Sequence, residues 1–309
     1  DVFAHVPLDK WRNRIQPFIF LATNMIKFSV LAEQKPLPEG SLAVFEWLAG
    51  GARTLMGQME SVTLALDFDG RTFGLTHHHA FVRGESVSAY LSQVRRSGLE
   101  VWNLLPDRPF FVIGTFDWQC PSEQAITTKF NEFVFFDDTQ PTARKIPQDT
   151  RKRLREAITL TQGQMPGSFF MATSPSGKLH PLQLYGGYVM EDARQGLESL
   201  VFLQENATAA MATFMGEPFF GKFERRAREG GGTLFEMKLD LDRMDPLMCK
   251  QLLGIYGEGV RIQETALDDH NIVYAAAAPP AGVKDLMEAR DSGRNLGRNE
   301  QIQATLARL

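Results

Sequence analysis

Three consecutive histidines, His77, His78 and His79, have the types and spacing that most directly suggest chemistry. Side chains on a strand alternate, so His77 and His79 share one face and His78 takes the other. Two imidazoles at that i, i+2 spacing suit zinc or copper, with Asp67 or Asp69 as further ligands, and a hydrolase centred on His77 and His79 is the related enzymatic expectation. The competing reading is a packing position, because His77 shares its face with Phe73, Leu75 and Phe81. The stretch Asp67-Phe68-Asp69-Gly70 lacks the further acidic ligands and distal glutamate of an EF-hand and reads as a hairpin turn. No G-x-S-x-G elbow, P-loop or dinucleotide fingerprint follows a strand, so the sequence predicts no catalytic residue and no cofactor.

Phenylalanine numbers 23 against 5 tyrosines and 4 tryptophans. Most of it belongs in packing between helices and sheets. The alternative is an apolar site for a lipid or hydrophobic ligand, using Phe18, Phe20, Phe28, Phe214, Phe219 and Phe220. Two arginine clusters, Arg151/Lys152/Arg153/Arg155 and Arg225/Arg226/Arg228, read as solvated helix faces, with an anion site as the second reading. The triple glycine 230–232 after the second cluster reads as a hinge. Asp117, Asp240 and Asp242 read as helix N-caps, and Asn206-Ala207-Thr208 matches a glycosylation sequon.

Composition sets the limits on these readings. Of 309 residues, 33 are basic and 37 acidic, giving a net charge of −4. That balance argues against a nucleic-acid partner, which needs a concentrated basic face. The longest apolar region, 15–32, is broken by Pro17, Thr23, Asn24 and Lys27, so no transmembrane segment is expected. Cys120 and Cys249 are too few and too far apart for a zinc motif, and their pairing stays open.

The elements that must position any site come from an internal repeat. Residues 62–66 and 72–82 form a hairpin around a glycine turn and feed an amphipathic helix starting near Ser86. About a hundred residues later 168–172 and 179–189 do the same, with Asp192 capping the helix that follows. A diverged third copy runs through 260–266 and 272–277 to a helix after Pro279-Pro280. A strand precedes each hairpin, at 2–7, 110–116 and 234–239. The segments 28–51 and 136–150 read as loops. The expectation is an α+β protein of three tandem strand-helix-hairpin-helix units, spanning 1–107, 108–232 and 233–309, the last with a C-terminal helix. They would form mainly antiparallel sheets with helices packed on one side.

Leu104-Leu105-Pro106-Asp107-Arg108 ahead of Phe110-Phe111-Val112-Ile113-Gly114, together with the repeated hairpins, resembles uncharacterised exported bacterial proteins of the domain-of-unknown-function kind built from tandem α+β units. The resemblance implies a cleaved signal and a periplasmic or cell-surface location, and the start at Asp1 is compatible with that. It transfers no catalytic residue. The leading expectation is a non-enzymatic binding or scaffold protein that meets an unknown protein, a cell-envelope component or an apolar ligand.

Overall fold

The computed structural model describes residues 2–8, 41–68, 73–93, 99–119, 121–174, 181–215, 222–238 and 246–306. Helices and antiparallel sheets mix along the chain, an α+β architecture, and the chain divides into two compact units, Asp1–Val94 and Arg95–Leu309.

In the first unit β1 (Val2–Pro7) is followed by α1 (Ser41–Gln58), the hairpin β2 (Met59–Phe68) and β3 (Phe73–Phe81), and α2 (Ser86–Leu91). The strands pair antiparallel in the order β1-β2-β3. Two expectations change here. The loop predicted over 28–51 is helical from Ser41 onward, because the chain after Pro38 places Leu42, Phe45 and Leu48 at helical spacing with no further proline to interrupt them. Ser86 is the first residue of α2, and its cap comes from Gln58: the Val87 N–H donates to Gln58 Oε1 at 2.8 Å, and Gln58 Nε2 donates to Ser86 Oγ at 2.9 Å.

The second unit opens with a 3-10 turn at Leu99–Leu104 and β4 (Phe110–Asp117). There follow α3 (Pro121–Asn131), a π turn at Glu132–Phe136, α4 (Pro141–Lys145) and α5 (Gln148–Gln164). The hairpin β5 (Gly167–Thr173) and β6 (Gln183–Val189) leads into α6 (Ala193–Met215), and then β7 (Glu224–Ala227), β8 (Thr233–Lys238) and α7 (Pro246–Tyr256). The hairpin β9 (Arg261–Ala266) and β10 (Asn271–Ala277), α8 (Val283–Ser292), a 3-10 turn at Leu296–Arg298 and α9 (Glu300–Leu306) complete it. Its described strands lie in the order β4-β5-β6-β10-β9-β8-β7, each antiparallel to its neighbours.

Helices cover both faces of this sheet, which corrects the expectation of a single covered face. Val273 packs with Val283 and Leu286 of α8 and with Leu105 and Leu296, while its neighbour Ile272 packs with Ala193, Leu197, Leu200 and Val201 of α6. Adjacent strand residues point to opposite faces, so two apolar neighbours that are both fully buried require a cover on each side. Close approach across the sheet depends on the glycine pair of β6. A Cβ at Gly186 would meet the Tyr274 ring at 2.5 Å, and one at Gly187 would meet the Phe169 ring at 2.6 Å, so the two aromatics lie across the strand from its two faces.

The second arginine cluster moves from its expected setting. Arg225 and Arg226 sit on β7 paired with β8, and the triple glycine is the tight turn between those strands, with φ of +81°, +99° and +93°. Such angles favour glycine, so this segment is a hairpin turn rather than a hinge after a charged helix. On α5, Arg153 lies 4.3 Å from the Phe202 ring centre, Arg155 lies 4.5 Å from that of Phe136, and Arg151 pairs with Asp138 at 2.7 Å. Lys152, Arg153 and Arg155 are exposed on the helix, as a solvated face requires, while Arg153, Arg155 and the half-buried Arg151 also reach neighbouring elements.

Candidate functional site

The first unit positions the histidine run. On the β2–β3 ladder His77 opposes Leu64, His79 opposes Val62, and His78 opposes Thr63. Asp67 opposes Gly74 on that ladder, at an odd spacing from Leu64, which places it in the row of Thr63 and His78. The side chains of Asp67 and His77, and all of Asp69, lie outside the described residues. His78 and His79 are exposed, and His79 stacks 6.4 Å from Phe81. The register adds a histidine that sequence reasoning missed: His5 opposes Thr63, and its Nδ1 lies 2.8 Å from Thr63 Oγ1. Among the described residues no group of three or more His, Cys, Asp or Glu side chains is placed to hold a metal. Phe18, Phe20, Phe28, Phe219 and Phe220, the side chain of Phe214, Cys120, Asp240 and Asp242 also lie outside the described residues. Cys249 is a free cysteine. The sequon asparagine, Asn206, is inside α6, where its Nδ2 donates to Phe202 O at 2.8 Å, a helical setting unlike an exposed acceptor loop. Asp192 caps α6 as its position suggested, accepting the N–H groups of Arg194 and Gln195 at 3.0 Å each.

The second unit holds the strongest candidate, a cleft of about 510 Å³ at the β7–β8 turn. Arg194, Leu197 and Glu198 of α6 form one wall, Arg225, Arg228 and the glycine turn another, and Ala266, Leu267 and Asp268 close the end of β9. Three guanidinium groups therefore line one opening. Arg225 pairs with Glu198 at 3.3 Å and lies over the Phe235 ring, and Arg194 pairs with Asp269 at 3.4 Å. Arg228 differs. Its Nε donates to Gly231 O at 2.6 Å and its Nη1 to Ala266 O at 2.8 Å, and no described carboxylate pairs with it. Backbone carbonyls fix the position of its charge without neutralising it. The carboxylate of Asp268, on the same rim, is engaged by the N–H groups of His270 and Asn271 and by Asn271 Nδ2, which hold it below the usual aspartate range against the opposing effect of its burial.

Beneath α6 lies a buried carboxyl. Glu264 on β9 is 2% exposed and faces Tyr274 of β10 and Phe235 of β8 directly across the ladders. Gln204 of α6 reaches down to donate from Nε2 to Glu264 Oε1 at 2.7 Å, while Oε2 has no hydrogen-bond partner. Burial pushes this carboxyl up to about 7, only partly offset by the Gln204 bond. Burial, then the nearby Glu264, raises the phenols of Tyr188 and Tyr274, the latter to about 12, so both stay neutral.

The opposite face carries a third polar cluster. Arg108 donates to Asp285 Oδ1 at 3.1 Å and to the Tyr185 hydroxyl at 3.2 Å; that hydroxyl donates to Asp285 Oδ2 at 2.5 Å, and the Gly282 N–H reaches the same Oδ2 at 3.1 Å. Each side chain has a bonded partner, so the arrangement reads as a clasp between β6, α8 and the segment before β4. Sequence reasoning missed Glu264, Asp285 and Arg108 as site residues. The available signal was a charged residue inside a strand, Glu264, in a sheet covered on both faces. No family model, curated protein or solved structure matches the chain.

Proposed function

We propose that this chain is a non-catalytic binding protein whose arginine-lined cleft at the β7–β8 turn takes an anionic group, a phosphate, sulfate or carboxylate on a small ligand. The observation that carries this reading is the Arg228 guanidinium, held by two backbone carbonyls and free of any described carboxylate. A cation immobilised in that way has lost its side-chain entropy before a ligand arrives, and a planar guanidinium suits tetrahedral and carboxylate oxygens. The volume of about 510 Å³ fits a small molecule.

The scaffold belongs to the same proposal. Three copies of one unit are supported by order and pairing: β1-α1-β2-β3-α2, β4 through β5-β6-α6, and β8-α7-β9-β10-α8 each place a first strand beside the second and the second beside the third. The last two would meet through β6 and β10, their third strands. Export, implied by the resemblance, goes with this reading and is tested by cell fractionation. No described helix is long and apolar enough to cross a membrane.

The deciding experiment is an NMR-detected titration of the full chain with sulfate. The amides of 228–233 should shift saturably in the native protein, and Arg228→Gln, folded by its circular dichroism, should weaken the response about ten-fold or more. Equal titration by both proteins, or no saturable shift, would remove the anion site.

A further inference from the structure

The long helix α6 serves two sites. Its first turns supply Arg194, Leu197 and Glu198 to the arginine cleft, and Gln204, on the stripe of Leu197, Leu200 and Val201 that faces the sheet, holds Glu264. Glu198 and Gln204 are six residues apart, roughly 9 Å along the axis. Whatever moves the helix at Gln204 therefore reaches the cleft wall.

The surroundings of Glu264 suit only its neutral form. Tyr274 faces it from β10, Tyr188 lies beyond on β6, Phe235 faces it from β8, and Gln204 comes from α6. None of these is a cation. The charged neighbours on α6 are engaged elsewhere: Glu198 pairs with Arg225, and Glu205 accepts the Phe223 N–H at 2.9 Å. An ionised Glu264 would hold a buried charge on one hydrogen bond, with Oε2 bare. Burial supports the same direction, since it brings the titration of this carboxyl to about 7. An ionised carboxylate is stabilised by hydration, which in this packing requires α6 to lift from β9.

We infer that Glu264 is a proton-operated latch beneath α6: protonated, it seats the helix and completes the arginine cleft; ionised, it unseats the helix and dismantles the cleft wall. The consequence is a binding site that closes on its anion in mildly acidic surroundings and releases it in alkaline ones. The latch itself stands on the geometry of Glu264, and only its effect on binding rests on the anion-site reading.

Two measurements on the full chain test it. Amide exchange of 197–209, corrected for the intrinsic pH dependence of exchange, should lose protection by about ten-fold between pH 5.5 and 8.5 in the native protein and stay level in Glu264→Gln. Sulfate keeps its charge across that range, and its affinity should fall about ten-fold in the native protein and remain at the acidic value in the variant. Level protection in the native protein overturns the latch, as does an identical pH response in the variant. Should Glu264→Gln fail to fold, Gln204→Met serves instead: it removes the bond to Glu264 Oε1, and its protection loss should begin at lower occupancy of the ionised form. A protection loss specific to the native protein with no sulfate binding at any pH supports the latch and sinks the anion site, so the two ideas fail separately.

Discussion

The two faces of the seven-stranded sheet each bury a carboxyl at a sheet-to-helix junction, and they treat it in opposite ways. Asp285, under α8, receives Arg108, the Tyr185 hydroxyl and a backbone N–H. Glu264, under α6, receives one amide from Gln204 and leaves an oxygen bare. Both are more than nine-tenths buried, 8% and 2% exposed. Burial alone therefore does not decide what a buried carboxyl does; its partners do. A fully bonded carboxylate is a fixed clasp whose charge is an asset only while its cation stays, whereas a half-bonded one is a group that exchanges a proton instead of finding a partner.

The largest effect should come from breaking the clasp. Arg108→Leu leaves Asp285 buried without its cation, and removal of one partner from a buried ion pair costs roughly 3–5 kcal/mol. The Arg108 side chain is 34% exposed, which puts the expected loss near the lower end, about 3 kcal/mol. Urea unfolding should show a lower midpoint with an unchanged slope. A loss below about 1 kcal/mol would mean that Tyr185 and Gly282 satisfy Asp285 alone, and the contrast between the faces would shrink.

The second effect depends on pH. The folded-state value of Glu264, about 7, lies above the 4.5 of an unperturbed glutamate. A raised carboxyl binds its proton more tightly in the folded chain, so its contribution is complete below about pH 4.5, is lost as pH climbs toward 7, and changes no further above that. The span corresponds to about 3 kcal/mol as an upper figure. Glu264→Gln should match the native protein near pH 4.5 and exceed its stability by up to that amount at pH 8.5. Parallel stability curves for the two proteins would show that Glu264 finds a partner when ionised, and would erase the difference between the faces.

The hairpins that frame both carboxyls were legible in the sequence because alternation and glycine turns are local signals. β5–β6 and β9–β10 appear where residues 168–189 and 260–277 predict them, and α6 starts behind its Asp192 cap. What stayed hidden depends on register between distant segments. The pairing of β6 with β10 joins strands some ninety positions apart, and it is that union which buries Tyr185 beside Asp285 and sets Tyr274 over Gly186. The short strand β7 reads Glu-Arg-Arg-Ala, without apolar alternation, and exists as a strand through its partner β8. Arg228 accordingly looked like part of a charged helix, and its role at the cleft could not be seen until the glycine turn folded its guanidinium back onto Gly231 and Ala266. The histidines drew attention by their number, yet number carries no information about neighbours. His5, whose Nδ1 lies 2.8 Å from Thr63 Oγ1, was far away in sequence.

The smallest effect concerns charge that is not buried at all. Arg194 and Asp269 meet at 3.4 Å with 83% and 79% of their side chains exposed, so solvent screens the pair and ordering two mobile side chains offsets most of what remains. Arg194→Ala should change stability by at most about 0.5 kcal/mol, in contrast to the buried clasp. The same substitution removes one of three guanidinium groups from the cleft and should weaken sulfate binding a few-fold, with a shallower dependence on ionic strength. A variant that loses stability but binds sulfate as before would reverse that division, making the rim a structural element and confining anion recognition to Arg225 and Arg228. If stability holds while binding falls, the cleft can hold cations at little cost to the fold, which is the freedom a binding site needs and a buried clasp lacks.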